Sequence, residues 1–313
     1  MKIGLDAIGG DYAPKATISG AQLALSELPE GNSIALYGPN SLLTEELNNQ
    51  NLNPSLFEVV DSPEIIEMGE HPTKAMTHKP NSSIAKGFKD LKLRQIQAFC
   101  GAGNTGAMHV GAMFTIKALE GIIRPGIAGF VPKEMGGFGV LMDIGANAEC
   151  KPDVLLQFGE IASLYAKHVF QITKPKVGLI NLGEEEGKGT LNTQAAHQLF
   201  KLSPLINFIG NIEGRDLFNN KADVMICDGF TGNVILKLIE SFYDLLKKQG
   251  IKNDYFDQFD YEAIGGSPVL GINGNVVIGH GVSNEIAIKN MILQAYRMAE
   301  ANIYLKIKDT FAD

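Results

Sequence analysis

The sequence predicts an α/β protein built on a mostly parallel, buried sheet. Short apolar segments alternate with longer segments of helical periodicity along all 313 residues. The apolar fraction of 45% is enough for a sizeable core, and 35 glycines suit many tight turns between strands and helices. Strands this short and apolar are buried on both faces, so we expect right-handed crossovers and helices covering both faces of the sheet.

The order of predicted elements follows from this alternation. Seven apolar segments are predicted strands, at residues 2–7, 33–37, 57–60, 98–100, 177–181, 206–209 and 223–227. Helices are predicted at residues 14–28, 41–49, 82–93, 105–119, 154–170 and 190–201. Residues 136–145 are predicted to add a hairpin or an edge strand. Because no repeat or linker is visible, we expect a single domain over residues 1–313.

A predicted helix at residues 234–246 is apolar over an unusually wide arc. Its apolar residues are Val234, Ile235, Leu236, Leu238, Ile239, Phe242, Tyr243, Leu245 and Leu246. Such a helix needs a second cover beyond its own sheet. A second copy of the chain is the favoured cover, and a fully interior helix is the alternative. We therefore expect a homodimer, with residues 234–263 as a helical dimerisation element.

Composition excludes several classes of protein. The 27 basic and 35 acidic residues give a net charge of −8, which argues against nucleic acid as a partner. Three cysteines form neither a disulfide framework nor a metal-binding spacing, which is typical of the reducing cytoplasm. We expect Cys100, Cys150 and Cys227 to be unreactive, partly buried thiols, with a nucleophilic cysteine as the alternative. No signal peptide or membrane-spanning helix is predicted.

Five glycine-containing turns follow predicted strands and carry polar side chains. They lie at residues 6–11, 101–107, 143–147, 181–189 and 228–233. Because the carboxyl ends of parallel strands meet at one edge of a sheet, these side chains are expected to converge there. The turn at 228–233 also directs backbone N–H groups and a helix N-terminus toward one point, which suits an anion. Plain helix capping is the alternative, but five such turns favour a functional site.

Several common site types are missing from the sequence. There is no three-glycine dinucleotide motif, no P-loop, and no Gly-x-Ser-x-Gly nucleophile elbow. The six histidines show no zinc spacing. We therefore expect a site that binds an anion and stabilises charge, without a metal, a cofactor or a covalent nucleophile.

Taken together, these motifs resemble the bacterial phosphate acyltransferases of phospholipid synthesis. The resemblance covers essentially the whole chain and rests on residues 6–11, 81–83, 103–107, 143–147, 181–189, 210–216 and 228–233. It implies a Rossmann-like three-layer sandwich, similar to phosphotransacetylases and isocitrate-dehydrogenase-type enzymes. It also implies transfer of a fatty acyl group from acyl carrier protein to inorganic phosphate, which gives acyl phosphate for phospholipid synthesis.

The resemblance further implies partners and a location. It points to a cytoplasmic homodimer at the inner membrane surface, with a membrane-bound glycerol-3-phosphate acyltransferase as a candidate partner. The resemblance also implies that residues 234–263 are a possible membrane-facing element. The short segment 251–263 is acidic here, however, so anionic lipid is expected to repel it. Basic residues between Lys74 and Arg94 could dock the acidic carrier protein, with Lys86, Lys89 and Lys92 as candidates, or form a solvated helix face.

The chemistry implied by the resemblance needs few special groups. Phosphate carries roughly −1.5 charge at neutral pH, by analogy with a phosphate monoester, and attacks a thioester without a strong base. A thiol of pKa about 8.5 leaves as the thiolate. The protein must bind phosphate, align it and stabilise the tetrahedral oxyanion.

Lys188 and Asn233 are the predicted catalytic residues. Lys188 is assigned to phosphate or the oxyanion, with a surface lysine beside three glutamates as the alternative. Asn233 is assigned to the thioester carbonyl, with helix capping as the alternative. The predicted substrate-binding residues are Asp6, Gly9, Gly10, Asp11, Asn104, Thr105, Gly106, Asp143, Asn147, Asn181, Glu185, Glu213, Arg215, Asp228, Thr231, Gly232 and His280.

Three of these assignments have open alternatives. Asn104 and Thr105 could instead cap a helix, and Arg215 could instead pair with Glu213 and Asp216. His280 could be a satisfied histidine at the edge of the core.

Rival functions are a short-chain phosphotransacetylase acting on acyl-coenzyme A, a dehydrogenase of related fold, and a non-catalytic scaffold for lipid synthesis. The chain length of the preferred acyl group separates the short-chain phosphotransacetylase from the fatty acyl transferase. The dehydrogenase is disfavoured because the dinucleotide motif is missing, and the scaffold because it gives no reason for five polar turns.

Overall fold

A computed structural model describes residues 1–312 and confirms the predicted α/β class. The strands are β1 (Lys2–Asp6), β2 (Ser33–Gly38), β3 (Glu58–Asp61), β4 (Ala98–Gly101), β5 (Gly126–Pro132), β6 (Phe138–Met142), β7 (Lys176–Ile180), β8 (Asn207–Ile212), β9 (Val224–Ile226), β10 (Ser267–Leu270) and β11 (Asn275–Ile278). The α-helices are α1 (Lys15–Glu27), α2 (Asn40–Asn49), α3 (Pro72–His78), α4 (Ser83–Lys92), α5 (Thr105–Val110), α6 (Pro152–His168), α7 (Leu191–Leu202), α8 (Gly229–Lys248), α9 (Tyr261–Ile264), α10 (Glu285–Glu300) and α11 (Ile303–Phe311).

The chain folds into two compact units. Unit 1 consists of Met1–Ala118 and Tyr261–Tyr304, and unit 2 consists of Leu119–Asp260 and Leu305–Asp313. A division into compact units does not test whether the chain is one domain, so the single domain expected over residues 1–313 stays a prediction.

Unit 1 contains a sheet of order β3-β2-β1-β4-β11-β10, in which only the β10–β11 pair is antiparallel. Its strands are fully buried at their centres, with Leu5 opposite Leu36 on one side and Cys100 on the other. Helix α4 approaches the sheet closely because Gly87 leaves room for the Phe99 ring. This packing leaves the carboxyl ends of β1, β4 and β11 at one edge of the sheet.

Unit 2 contains a sheet of order β5-β6-β9-β7-β8. β6 lies within residues 136–145, where a hairpin or an edge strand was predicted, and it forms an antiparallel hairpin with β5, which precedes that segment. The remaining pairs are parallel. Its core cluster includes Leu141, Ile212 and Met225, and the partly buried Ile235 and Ile239 of α8 pack against it. The carboxyl ends of β6, β9, β7 and β8 therefore lie side by side.

Two predicted helix boundaries were wrong. α8 begins at Gly229 instead of residue 234, because the Asp228 side chain accepts the Thr231 N–H at 2.8 Å and caps the helix despite two glycines in its first turn. The predicted helix 105–119 ends as an α-helix at Val110 and continues as a π-helical turn over Gly111–Ile116. Sequence analysis also missed α3, α10, α11, β5, β10 and β11.

No helix within residues 1–312 combines the length and the apolar character that crossing a membrane requires.

Candidate functional site

In unit 2, four polar turns begin at neighbouring points on one sheet edge. The register pairs Met142 of β6 with Ile226 of β9, and pairs Ile226 with Leu179 of β7. Ile180 of β7 is paired with Ile212 of β8. Because adjacent strands lie about 4.8 Å apart, the turns that follow these residues start side by side. The turns carry the predicted residues Asp143, Asn147, Asn181, Glu185, Lys188, Glu213, Arg215, Asp228, Thr231, Gly232 and Asn233.

Asp143 organises the first of these turns. Its carboxylate is fully buried. One oxygen accepts the N–H groups of Ile127, Gly145 and Ala146 at 3.1–3.2 Å. The other accepts the backbone N–H and the side-chain amide of Asn147 at 2.7 and 3.0 Å. Five donors around one carboxylate fix the turn, so Asp143 holds the shape of the site.

The first turn packs directly against the start of α8. The Gly229 N–H donates to the Asn147 carbonyl at 2.8 Å. A Cβ atom on Gly232 would lie 1.9 Å from the Asp143 carbonyl oxygen, so only glycine fits. Glycine at this position therefore lets the helix N-terminus reach the strand end.

Asn233 lies exposed in the second turn of α8. Its side-chain amide donates to the Ile144 carbonyl at 3.2 Å, which ties α8 to the 143–147 turn. A side-chain amide has two N–H groups, so a second donor remains for a ligand. The helix cap itself is Asp228, so the capping role considered for Asn233 belongs to another residue.

Lys188 lies exposed in the loop between β7 and α7, and within residues 1–312 its ammonium has no ion-pair partner. Two of the three neighbouring glutamates are engaged elsewhere. Glu184 contacts Lys221 at 2.7 Å, and Glu186 contacts Lys201 at 2.6 Å. The Glu185 carboxylate lies beside the Lys188 side chain, since both contact the same face of Gly183. Within residues 1–312 the Lys188 ammonium is therefore a cation without an ion pair, beside the strand ends.

Arg215, in contrast, is surrounded by carboxylates. Its Nε lies 2.7 Å from Glu213 and its Nη2 lies 3.6 Å from Glu184. Asp216, which sequence analysis also offered as a partner, instead contacts Lys221 at 2.9 Å. Burial raises the pKa of Asp216, but its bonds to the Glu213 N–H, Lys221 and Asn219 outweigh burial and lower the pKa to about 2.

In unit 1, the buried Asp6 joins three segments. Three glycines leave room for it, since a Cβ on Gly9, Gly101 or Gly103 would lie within 2.7 Å of its side chain. Burial raises the pKa of Asp6 to about 6, against opposing hydrogen bonds from Ser83 and the N–H groups of Ile8 and Gly9.

The remaining predicted residues of unit 1 lie in the turns that follow β1, β4 and β11. Asn104 caps α5 by accepting the Ala107 N–H at 2.9 Å, and donates to the carbonyls of Glu67, Met68 and Glu70. Thr105 and Gly106 follow in the first turn of α5.

Asp11, next to the positive-φ Gly10, donates its backbone N–H to the Gly281 carbonyl at 2.8 Å. The neighbouring His280 is exposed and accepts from the Ser283 hydroxyl through its own carbonyl at 2.6 Å. The first turn of the chain is thereby tied to the turn after β11.

All three cysteines are buried and free. Burial, followed by the nearby Asp143 carboxylate, raises the pKa of Cys150 to about 12, and burial likewise raises the pKa of Cys227. Within residues 1–312, no group of three or more His, Cys, Asp or Glu side chains is placed to hold a metal ion.

Sequence reasoning did not single out Gln194, Asn211 or Ser83. Gln194 and Asn211 donate to carbonyls of the loop that carries Lys188, and Ser83 contacts Asp6. Asn211 and Ser83 lie inside motifs that carried the resemblance, so membership of those motifs was a usable signal. Gln194 lies in a helix with no local signal.

Comparison with known proteins adds a family. The sequence model of a family described as "Fatty acid synthesis protein" matches residues 1–249 and 245–306. A protein of Salinibacter ruber named phosphate acyltransferase is 40% identical over 330 residues, covering 99% of this chain and 97% of that protein. One of the same name from Pelotomaculum thermopropionicum is 42% identical over 329 residues, covering 99% and 95%.

Among solved structures, a phosphotransacetylase from Streptococcus pyogenes superposes with a TM-score of 0.68 at 14% identity, covering 96% of this chain and 94% of that one. A likeness at this identity shows a shared fold, which agrees with the Rossmann-like class implied by the sequence.

Proposed function

Because this chain belongs to the fatty acid synthesis protein family, we propose that it transfers a fatty acyl group from acyl carrier protein to inorganic phosphate. The product, acyl phosphate, would feed phospholipid synthesis. The shared name phosphate acyltransferase among relatives that match nearly the whole chain supports this activity.

The observation that carries the proposal is the Lys188 ammonium, which forms no ion pair within residues 1–312. It lies in a glycine-flanked loop at the edge where four strands end, and the carboxylates of Glu184 and Glu186 are held by other cations. A cation without a protein partner favours an anionic ligand, and phosphate is the anion that the reaction requires.

The reaction proceeds without a protein nucleophile. A phosphate oxygen attacks the thioester carbonyl carbon, the carbonyl π electrons move to oxygen, and the oxyanion then expels the carrier thiolate. Lys188 binds phosphate or the developing oxyanion, and the second N–H of Asn233 donates to the thioester oxygen. The raised pKa of Cys150 and Cys227 keeps both thiols protonated, which supports direct attack by phosphate.

The other predicted residues take supporting roles in this proposal. Asp143, Asn147, Asp228, Thr231 and Gly232 shape the turns around Asn233. Asn181 and Glu185 shape the loop of Lys188 through the contacts they make with its backbone. Glu213 and Arg215 form a charged pair on the same edge. Asp6, Gly9, Gly10, Asp11, Asn104, Thr105, Gly106 and His280 remain predicted substrate contacts in unit 1.

The decisive assay measures phosphate-dependent release of free carrier thiol from a long-chain acyl carrier protein substrate. We expect release only with phosphate, and a loss of at least 100-fold in kcat/KM for Lys188→Ala, the scale found for one charge-stabilising group. Lys201→Ala is the matched control, because that lysine is already paired with Glu186.

Near-normal turnover by folded Lys188→Ala would contradict the site assignment. Phosphate-dependent thiol release from short-chain acyl-coenzyme A, but not from acyl carrier protein, would favour the short-chain phosphotransacetylase.

A homodimer is also proposed, with α8 as its interface. Phe230, Val234, Leu238 and Phe242 lie four residues apart on one face and are 68%, 51%, 68% and 57% exposed. Ile235 and Ile239 on the opposite face pack on the core of unit 2. A continuous exposed apolar stripe on a helix is typical of a surface that a second copy covers.

Leu238→Glu tests this interface. We expect it to convert dimer to monomer in light scattering, because it places a charge inside the apolar stripe. Leu202→Glu is the control, since Leu202 is 81% exposed on α7, away from the stripe. A dimer that persists in Leu238→Glu would place the interface elsewhere.

Location and docking follow from the same proposal. Lys89 and Lys92 are exposed on α4, whereas Lys86 donates to the Asp61 carbonyl, so the first two are the better carrier-docking candidates. Reversing both charges should weaken carrier binding at low salt, and unchanged binding would dismiss them.

A cytoplasmic protein at the inner membrane surface, beside a membrane-bound glycerol-3-phosphate acyltransferase, completes the proposal. Tyr255 and Phe259 in the acidic segment pack on each other and Phe259 packs on Phe218, which leaves less aromatic surface for lipid. Cosedimentation with anionic vesicles tests the attachment, and no binding with or without the acyltransferase would exclude it.

A further inference from the structure

The loop that carries Lys188 has its carbonyl groups held by three side-chain amides. Gln194 of α7 donates both amide hydrogens, to the carbonyls of Gly187 and Gly189 at 3.0 and 3.1 Å. Asn181 donates to the carbonyl of Lys188 itself at 3.0 Å. Asn211 of β8 donates to the carbonyl of Glu185 at 2.9 Å. The carbonyls on both sides of Lys188 therefore accept hydrogen bonds from the protein.

Asn211 is itself held in one orientation. It is 3% exposed, and its side-chain oxygen lies 3.0 Å from Nδ1 of His197, which is also 3% exposed. The His197 ring packs edge-on against Phe208, with ring centroids 5.0 Å apart. With Nδ1 protonated, His197 donates to the Asn211 oxygen and leaves the Asn211 amide directed at the loop.

This arrangement matters for an anion because carbonyl oxygens repel negative charge. A glycine-rich loop has many accessible conformations, and some of them would turn a carbonyl toward the ligand of Lys188. Bonding the carbonyls to side-chain amides removes those conformations. It also lowers the entropy that would be lost when an anion orders the loop.

We propose that Gln194 and Asn211 are positioning residues that, together with Asn181, clamp the Lys188 loop in its anion-binding conformation. The inference rests on the proposed function for its kinetic consequence, whereas the clamp itself is a property of the loop. Gln194 is the best position for a test substitution, because its side chain alone holds two carbonyls and is only half-buried.

Gln194→Glu tests the clamp. Glutamate keeps the size of glutamine but has no donor, so two carboxylate oxygens would face two carbonyls. Gln198→Glu is the control for the added charge, because it makes the same change one turn further along α7, where the side chain contacts the Glu186 carboxylate of the same loop at 3.4 Å but holds no loop carbonyl. Asn211→Leu tests the buried bond of the clamp, from Asn211 to the Glu185 carbonyl. Thermal unfolding reports whether each variant folds.

Two measurements are made on each variant. Trypsin cleavage after Lys188, identified by mass spectrometry, reports opening of the loop without any substrate. We expect Gln194→Glu to be cleaved about tenfold faster or more than wild type, and Gln198→Glu to match wild type. The KM for inorganic phosphate in the thiol-release assay should rise about tenfold in Gln194→Glu, with the unfolding midpoint close to that of the control.

The outcomes separate the two proposals. Equal cleavage of Gln194→Glu and Gln198→Glu would overturn the clamp, whatever the activity. Faster cleavage with an unchanged phosphate KM would overturn the positioning role. If wild-type protein releases no carrier thiol, the proposed function fails, and the cleavage rates still support or overturn the clamp.

Discussion

Asp6→Asn is expected to stabilise unit 1 at neutral pH. Asp6 is 1% exposed, and no cation in residues 1–312 pairs with it. Burial raises its pKa from 3.8 to about 6, even though Ser83 and the N–H groups of Ile8 and Gly9 lower it. The folded protein therefore carries a buried, unpaired carboxylate above pH 6, which asparagine would replace with a neutral group of equal size.

The magnitude follows from the pKa difference. A shift from 3.8 to about 6 is about 2.2 units, and each unit corresponds to 1.36 kcal/mol. Because the folded pKa is raised, the folded state holds the proton more tightly, so ionisation costs stability as pH rises from 3.8 through 6. The cost is absent below pH 3.8, about 1.6 kcal/mol at pH 5, and about 3 kcal/mol above pH 7.

Hydrogen exchange of the β1 amides, measured at pH 5 and pH 8, gives the opening free energy of unit 1. We expect Asp6→Asn to raise it by about 3 kcal/mol at pH 8 and by about half as much at pH 5. Asp309→Asn changes the same charge at an exposed position and should leave the opening free energy unchanged at both pH values.

A stability difference between Asp6→Asn and wild type that is equal at pH 5 and pH 8 would refute this reasoning. So would a loss of stability at both pH values. If Asp6 also contacts substrate as proposed, the stabilised variant should lose activity, since functional sites often hold groups that cost stability.

Two further predictions concern unit 2. Lys133→Met should lower the free energy of unfolding by about 3–5 kcal/mol, because Lys133 and Asp223 form a buried pair at 2.6 Å and the carboxylate would lose its cation. Adding Asp223→Asn should recover much of that loss in urea titrations, and no recovery would contradict the pair. Gly232→Ala should cost about 3 kcal/mol or more, because its Cβ would lie 1.9 Å from the Asp143 carbonyl. Gly214→Ala, with open space around it, should change the urea midpoint little.

Regular elements near the start of the chain were the most predictable. β1, β2 and α1 follow from local periodicity, because buried strands and their covering helices impose a repeating apolar pattern. Strand β11 was missed although Asn275–Ile278 is a short, buried, mostly apolar segment of the kind that predicted the other strands. Strand β10 was missed because it contains Pro268, and proline disfavours the interior of a strand. The start of α8 was missed because one cap, from Asp228, overrides the low helix propensity of Gly229 and Gly232.

The candidate site divides in the same way. Lys188 and Asn233 were predicted as site residues from their turns, since a lysine between glycines and an asparagine after a strand end are local signals, and both assignments stay predictions. Their support was not predictable. Asn211 lies on a strand and Gln194 on a helix, and only the fold brings both to the carbonyls beside Lys188.

The sequence by itself determined the α/β class, the polar turns and the family, because periodicity and motif spacing are local properties. Tertiary structure decided which charges remain available. Near one sheet edge, two ion pairs form, Lys201 with Glu186 and Arg215 with Glu184. Lys188 forms no ion pair within residues 1–312. Ion pairing depends on distances across the fold, so no sequence pattern separates a paired lysine from a free one.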